Sequence, residues 1–426
     1  MRKTLRGLLF DTSDWIWVGL ALGLRLAFAC RLGDRFHQID ELGFKLISEA
    51  LASTGTISID GMPIAAAPLP NAFFGACYRL FGPHMLYPRL LQAFLSTGTA
   101  WLIGRAAGNL TDSPRVGRLA LALAAIYPFF IYYSGMLMSE TLYLVCVVPG
   151  IWWLCQSLRE RGALPGRAAA AGLALALAAL CRAEAAPIVS VIWGAAAVFC
   201  LRGRWPWRTW LLAVLAWSLP LLFWCARNQA RVGVFALDTH GGVTMLHGTM
   251  FFDENEIDTG VALAALEKTG FYQASLDSPP GQRDRIFMRQ SLDFMRAHPG
   301  RTLRQWGRKF INFWRFYPRL DKTYHETQHS HPTAGLSRGL LTAVSLLFEP
   351  LLILGGLCGL WGMRRNWAGL FPIGLFMLLT MGIHLVSVSQ MRYRLALMPF
   401  LILGSSQFWA ARLGLELPET DQSANL

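Results

Sequence analysis

Long apolar runs alternate with short polar connections along most of the chain. A helix needs about 17 to 25 predominantly apolar residues to cross the roughly 30 Å hydrocarbon layer of a membrane. Runs of about this length recur at approximately 14–32, 85–104, 117–135, 137–157, 166–181, 185–201, 207–226, 341–361, 367–388 and 393–411. The pattern predicts an all-α integral membrane protein with about ten spans. Residues 71–82 are apolar but too short to cross, so we expect an interfacial or re-entrant helix there.

The composition supports this class and raises a question about charge. Of the 426 residues, 54% are hydrophobic and 15% are charged, whereas a soluble protein carries about 25% charged residues. A water-soluble enzyme is therefore excluded. The 39 Lys and Arg residues exceed the 26 Asp and Glu residues and give a net charge of +13. In a soluble protein this excess would suggest a nucleic-acid partner.

The positions of the basic residues answer the question of charge. In the ten-span topology, the short connections on one side contain Arg2, Lys3, Arg6, Arg105, Arg115, Arg118, Arg159, Arg161, Arg167, Arg202, Arg204, Arg208, Arg364 and Arg365. Short loops rich in Lys and Arg stay in the cytoplasm. The sequence therefore predicts a multi-pass protein of the cytoplasmic (inner) membrane with both termini cytoplasmic, and no nucleic-acid partner is needed.

The remaining segments define the domain organisation. We expect one transmembrane domain over 1–411, with a first outer loop at 33–84, a large outer loop at 227–340 and a cytoplasmic tail at 412–426. Within the large loop, Ile286–Ala297 and Leu303–Phe316 show helical spacing of apolar residues. Such helices either lie along the membrane or are ordinary amphipathic surface helices.

Several familiar motifs are missing or misleading. The chain has no GxxxxGK[ST] loop to hold nucleotide phosphates and no Asp-x-Asp pair to hold a metal against a nucleotide sugar. His325 and His329 form an HExxH sequence, but Pro318 and Pro332 flank it, whereas a zinc site needs a continuous helix. We therefore predict no metal site and no certain cofactor; a divalent metal is compatible with the sequence but not required.

Ionisable residues at the ends of the predicted spans are the main functional signal. Such residues are costly in a membrane and are functional candidates by default. Those on the predicted outer side are Asp34, Asp40, Glu41, Glu140, Arg182, Glu184, Arg227, His384, Arg392 and Arg394. A single arginine could simply extend to the lipid headgroups. Carboxylates and guanidinium groups from six spans on the same side favour a shared polar cavity instead.

Carboxylates beside arginines at a membrane surface suit one kind of reaction. A carboxylate takes a proton from an acceptor hydroxyl, while arginines stabilise the charge that develops on a departing lipid phosphate. A sugar carried on polyprenyl phosphate fits the absence of nucleotide motifs, because the energy for transfer is already stored in the lipid-linked donor.

Four motifs in chain order also carry a family resemblance. They are Asp40-Glu41 with Gly61-Met62-Pro63 and Ala67-Pro68-Leu69-Pro70, then Ser139-Glu140, then Arg227–Gly233 with Thr239–Gly242, and finally Arg392-Tyr393-Arg394 before Pro399. In these motifs the chain resembles the GT-C glycosyltransferases of the protein O-mannosyltransferase and aminoarabinose-transferase type. The resemblance implies a GT-C-like fold with an outer helical cap and inverting transfer of a sugar from a polyprenyl-phosphate donor.

The resemblance also suggests roles for individual residues. Asp40 would be the general base with Glu41 beside it, and Arg182, Arg227, Arg392 and Arg394 would contact the donor phosphate. Glu140, Glu184, His384 and Tyr393 would complete the cavity. Two departures from the family pattern, Ala67 in place of lysine and Phe44 in place of tyrosine, leave the subfamily and the sugar open.

The acceptor is also open among a lipid, another glycan and a protein. Two other functions compete with transfer. A transporter or flippase of lipid-linked glycans would also need an arginine-lined cavity, although the chain shows no pseudo-symmetric halves. A membrane zinc protease would depend wholly on His325 and His329.

Overall fold

The computed structural model describes residues 12–37, 39–59, 62–253, 259–317 and 338–414. Its α-helices are α1 Thr12–Leu32, α2 Ile39–Thr54, α3 Pro68–Phe81, α4 Leu86–Thr111, α5 Pro114–Ile126, α6 Pro128–Gly135, α7 Glu140–Arg159, α8 Pro165–Cys181, α9 Ala185–Leu201, α10 Trp207–Val232, α11 Gly241–Gly248, α12 Thr259–Glu267, α13 Gly270–Ser275, α14 Pro280–Ala297, α15 Pro299–Trp314, α16 Arg338–Gly362, α17 Trp367–Val386 and α18 Met398–Arg412. Two 3₁₀ helices span Met363–Asn366 and Met391–Ala396, and the short strands β1 (Ser58–Ile59) and β2 (Met62–Pro63) pair antiparallel.

The predicted all-α class and the positions of its helices are confirmed. Each of the ten predicted segments contains a helix, and the interfacial segment 71–82 coincides with α3. Within the described residues, five helices (α1, α7, α10, α16 and α17) are long and apolar enough to cross a membrane, and α5 with α6 makes a sixth if the pair is one span. The chain is therefore a multi-pass membrane protein, while the count of ten spans stays a prediction.

The third predicted span is broken. α5 and α6 meet at an angle of 51°. Tyr127, between them, has extended backbone, and Pro128 starts the second helix. A proline lacks the N–H that would continue the hydrogen-bond ladder, and it pushes the residue before it out of the helical conformation. The bend lies beside the candidate site, because Tyr127 and Arg392 line the same cavity.

Glycines allow the last spans to pack closely. A Cβ atom on Gly359 of α16 would lie 1.8 Å from the carbonyl oxygen of Gly404 in α18, and one on Gly355 would lie 3.0 Å from Ser405 Oγ. Small residues let membrane helices approach at the backbone. The GxxxG of Gly355 and Gly359 is therefore a helix-packing motif.

The charges separate towards the two ends of the bundle. α7 begins at Glu140 and ends at Arg159, where the Arg159 guanidinium pairs with Asp112 at 2.7 Å. A helix of this length spans about 30 Å, so these two ends are a membrane thickness apart. The predicted site residues gather at the Glu140 end, whereas the arginines of the short connections after α7 and α9 lie at the other. This separation agrees with the predicted split between the two sides.

Both helices predicted in the large outer loop are present as α14 and α15, each starting before its predicted first residue at a proline. In α15 the usual burial pattern is reversed. Gln305 and Lys309 are buried, whereas Leu303 and Ile311 are 68% and 64% exposed. An exposed apolar face on a helix rich in arginine is typical of a helix at a membrane surface.

Candidate active site

Several helix ends and one turn meet to form a cluster of polar side chains. α2 and α7 begin there, α8 leads into α9 through the turn at Arg182, and α17 ends there, followed by the 3₁₀ helix Met391–Ala396. The predicted residues that come together are Asp40, Glu140, Arg182, Glu184, His384, Arg392 and Tyr393. We call this set the polar cluster.

Arg182 lies at the centre of the polar cluster. Its Nε donates to Glu184 Oε1 at 2.9 Å, and its Nη1 donates to Glu140 Oε1 at 3.2 Å and to Ser139 Oγ at 3.4 Å. Burial lowers the pKa of Arg182, but the charges of Glu184 and Glu140 outweigh burial and raise it. Burial likewise raises the pKa of Glu184, but Arg182 and then His384 outweigh it and lower the pKa. Arg182 and Glu184 are therefore both charged at neutral pH, and the Arg182 guanidinium also pairs with the carboxylate oxygen of Glu140.

Aromatic rings pack against this network. The Tyr393 ring stacks on the His384 ring, with centroids 4.1 Å apart and an interplanar angle of 14°. The Arg182 guanidinium lies 5.4 Å from the Tyr393 ring and 5.9 Å from the Tyr143 ring, within the range of cation–π attraction. His384 Nε2 is 3.6 Å from Glu184 Oε1. The rings and ion pairs together fix the position of Arg182.

Asp40 and Arg392 form the exposed part of the cluster. Arg392 Nη1 donates to Asp40 Oδ2, and Arg392 Nη2 donates to the Tyr393 hydroxyl at 3.1 Å. The Asp40 side chain is 40% exposed and that of Arg392 is 24% exposed. The charge of Arg392 holds the pKa of Asp40 below its usual range, with its hydrogen bond and the charge of Arg182 adding to the effect against burial. An ionised, partly exposed carboxylate therefore lies next to a guanidinium group.

Glu41 points elsewhere, although it is the neighbour of Asp40. Its side chain is 0% exposed, and its oxygens accept hydrogen bonds from Arg89 Nη2 at 2.8 Å and from the backbone N–H groups of His37 and Leu137 at 2.7 and 2.9 Å. Arg89 also donates to the carbonyl oxygens of residues 33 and 35. Glu41 thus holds residues 33–41 against α4 and is separate from the polar cluster.

Arg394 is also turned away from the cluster. Its Nη2 donates to Glu349 Oε2 at 2.5 Å, and its Nη1 donates to the carbonyl oxygens of Phe313 and Arg315 at 2.7 and 2.9 Å. The other oxygen of Glu349 accepts from the Tyr127 hydroxyl. Because Arg394 is 1% exposed and both of its terminal nitrogens, Nη1 and Nη2, donate to these partners, it acts as a buried link between α16, the 3₁₀ helix and the end of α15.

Arg227 likewise lies outside the cluster. Its Nη1 donates to Asn228 Oδ1 at 2.9 Å, and its guanidinium lies 4.8 Å from the Trp224 ring. The buried Asn228 amide donates to the carbonyl oxygen of Ala236 at 2.8 Å. This pair of residues fixes the path by which the chain leaves α10.

Some buried polar atoms of the site have no hydrogen-bond partner within the described residues. They include Glu140 Oε2 and Arg392 Nε. A cavity of about 60 Å³ lies between Arg392, Arg394, Tyr127 and Tyr133. This volume has room for about two water molecules. Arg392 and Arg394, which line this cavity, each have an Nε donor without a partner among the described residues, so the cavity is suited to binding water or a small polar group.

No group of three or more His, Cys, Asp or Glu residues within the described ranges is arranged to hold a metal ion. His325 and His329 lie outside the described residues. Asp253, in the acidic stretch of the outer loop, accepts hydrogen bonds from Arg301 at 2.9 Å and Arg308 at 2.7 Å. Both carboxylate oxygens of Asp253 are therefore already paired with arginines.

The sequence reasoning missed several important residues. Arg89 and Glu349 both lie inside predicted spans, so the rule that ionisable residues in spans are functional candidates could have flagged them. Their roles here are structural, as the partners of Glu41 and Arg394. Tyr143, which packs on Arg182, carries no comparable signal because tyrosine is common in membrane helices.

No protein-family model and no curated protein sequence matches the chain. Among solved structures, it is similar to the archaeal oligosaccharyltransferase AglB from Archaeoglobus fulgidus in complex with an inhibitory peptide and a dolichol-phosphate. The two share 12% identity at a TM-score of 0.48, over 95% of this chain and 51% of AglB. This chain therefore spans about half the length of AglB.

The chain is also similar to ArnT from Cupriavidus metallidurans. The structure bound to undecaprenyl phosphate is 15% identical with a TM-score of 0.44, covering 92% of this chain and 78% of that one. The apo structure is 15% identical with a TM-score of 0.42, covering 91% and 77%. Similarities of this size assign neither an activity nor a substrate to this chain.

Proposed function

We propose that this protein is a glycosyltransferase that moves a sugar from a polyprenyl-phosphate donor to an acceptor hydroxyl at the outer face of the cytoplasmic membrane. The observation that carries the proposal is the exposed ion pair of Asp40 and Arg392 beside Arg182. It places a carboxylate that can take a proton next to guanidinium groups that can bind a phosphate.

The proposed reaction is a single displacement. The Asp40 carboxylate takes the proton of the acceptor hydroxyl while the acceptor oxygen attacks the anomeric carbon. The bond from that carbon to the phosphate oxygen breaks, and its electron pair leaves with polyprenyl phosphate. One displacement inverts the configuration at the anomeric carbon. Arg392 and Arg182 stabilise the charge on the departing phosphate, which is the kind of preorganised electrostatic contact that contributes most to catalysis.

The ion pair also couples donor binding to activation of the base. A donor phosphate next to Arg392 competes with Asp40 for the same guanidinium N–H groups. The carboxylate is then free to accept a hydrogen bond from the acceptor hydroxyl. The contacts of Arg182 with Glu140 and Glu184 keep that second cation in place while Arg392 exchanges partners.

Purified protein in liposomes with polyprenyl-phosphate sugars and candidate acceptors tests the proposal. Release of free polyprenyl phosphate, together with a glycosylated acceptor, is the expected result. Sugar-lipid that crosses the bilayer unchanged, without any release of polyprenyl phosphate, would contradict it and indicate a transporter or flippase. Mass spectrometry of envelope glycolipids and glycoproteins from a deletion strain would identify the acceptor to use.

The pH dependence of Arg392→Gln provides a further prediction. Ionised Asp40 is the active form of a base, so kcat/KM is constant above its pKa and falls as the pH drops through it. Arg392 is the largest cause that lowers this pKa. Its removal should raise the pKa and move the acid limb of the profile to higher pH. An acid limb that stays in place, at whatever maximal rate, would show that Asp40 is not the titrating base.

A further inference from the structure

Lys309 is an unusual residue for its surroundings. Its side chain is 0% exposed, and within the described residues it pairs with no carboxylate. Burial of a charged group without a counter-ion is costly, and burial lowers the pKa of Lys309 to about 7. A methionine would fill similar space at lower cost, so the contacts of this amine need an explanation.

The amine caps the end of α17. Lys309 Nζ donates to the carbonyl oxygens of Leu385 and Val386 at 3.0 and 2.9 Å. These are the last residues of the helix, whose terminal carbonyl groups lack partners within it. A cation is also favoured at this end by the helix dipole. The Lys309 backbone takes part as well, because its carbonyl oxygen accepts from Ser389 Oγ at 2.8 Å.

Segment 385–396, which Lys309 contacts, connects the polar-cluster residue on α17 to the two that lie in the 3₁₀ helix. His384 precedes it on α17, and Arg392 and Tyr393 lie in its 3₁₀ helix. Residues 388–390 between them have no regular secondary structure. The position of the segment therefore depends on contacts from outside. α15 supplies several of them through Lys309 and Phe313, and Arg315, which directly follows α15, supplies another.

We infer that Lys309 is a positioning residue that holds segment 385–396, and with it His384, Arg392 and Tyr393, in place opposite Asp40. The catalytic part of this inference rests on the proposed function, whereas the structural part does not. It also gives the outer helix α15 a role in the site, since displacement of α15 would move the guanidinium that pairs with Asp40.

Gln305 offers a matched control. It lies one helical turn before Lys309 on the same face of α15, is 3% exposed and donates to the carbonyl oxygen of Thr249 at 3.1 Å. Thr249 belongs to a different segment, which carries none of the polar-cluster residues. Gln305→Met thus removes a buried hydrogen bond of α15, whereas Lys309→Met removes the bonds to segment 385–396.

Hydrogen exchange of the full-length protein in nanodiscs, followed by mass spectrometry, tests the positioning role without reference to activity. In Lys309→Met, amides in 385–396 should exchange about tenfold faster than in the wild type, because two buried hydrogen bonds to the end of α17 are lost. Gln305→Met should leave that segment unchanged. Lys309→Gln, which keeps a donor, should lie between the wild type and Lys309→Met.

Unchanged exchange in Lys309→Met, or the same increase in Gln305→Met, would overturn the inference.

A second experiment measures the pH profile of sugar transfer by the same variants. Arg392 and Arg182 are the cations that lower the pKa of Asp40, so loosening Arg392 should move the acid limb to higher pH in Lys309→Met. Faster exchange without any transfer by the wild type would refute the proposed function alone, whereas transfer with unchanged exchange would refute the positioning role alone.

Discussion

Asp40→Asn should abolish sugar transfer while leaving the protein folded. Asparagine has nearly the same shape as aspartate and can accept the hydrogen bond from Arg392, but it cannot take a proton from the acceptor. Loss of a general base typically costs about 10²–10⁴-fold in rate. Because the Asp40 side chain is 40% exposed, its replacement should not weaken the helix bundle. The measurement is polyprenyl-phosphate release by protein that remains monodisperse in detergent.

Glu49→Gln is the control for this experiment. Glu49 lies on the same helix as Asp40, is partly exposed and pairs with Lys45 at 3.5 Å one turn away. Exposed pairs of this kind contribute about 0.3–0.5 kcal/mol, so transfer should match the wild type. Wild-type turnover by Asp40→Asn would contradict the assignment of the base. A loss of activity in Glu49→Gln of the same size would show that α2 is merely sensitive to changes in charge.

The helices of this protein could be predicted from the sequence because their signal is local. Apolar runs separated by Arg-rich connections indicated where each helix lies, and the pair Gly355 and Gly359 indicated close packing. The break at Tyr127 was missed, although Pro128 is visible in the sequence, because the 19-residue run around it remains apolar across the break. A hydrophobic run indicates that a segment lies in an apolar environment, but it does not show whether the helix there is straight or bent.

The convergence of seven predicted residues at one end of the bundle could also be predicted from the sequence, because topology alone places helix ends on the same side. The partner of each residue could not be predicted in this way. Arg392 and Arg394 both looked suited to a phosphate, yet two positions apart in a 3₁₀ helix of three residues per turn they point in different directions. One faces Asp40, and the other faces Glu349 in a distant span. Pairings over such sequence separations leave no trace in a local pattern.

The same geometry separates Asp40 from Glu41. Neighbours on a helix point about 100° apart, so one carboxylate reaches the exposed cluster while the other is buried against Arg89. Glu41→Gln should therefore retain most of its turnover per folded molecule, unlike Asp40→Asn. A folded but inactive Glu41→Gln would instead place Glu41 in the chemistry. The comparison is best made on protein recovered as a monodisperse peak, so that lost folding is not counted as lost catalysis.

Arg89→Met should be the most destabilising of these changes. It leaves the carboxylate of Glu41 buried at 0% exposure without its cation, and it leaves the carbonyl oxygens of residues 33 and 35 without their donor. Breaking a buried ion pair from one side typically costs about 3–5 kcal/mol. Thermal unfolding in detergent measures this loss of stability. The control is Arg79→Met, which replaces an exposed arginine on α3 and should unfold like the wild type.

A wild-type unfolding temperature for Arg89→Met would contradict the importance of the buried pair of Arg89 and Glu41 for stability. Partial recovery of that temperature in the double variant with Glu41→Gln, which removes the stranded charge, would identify that charge as the main cause of the destabilisation.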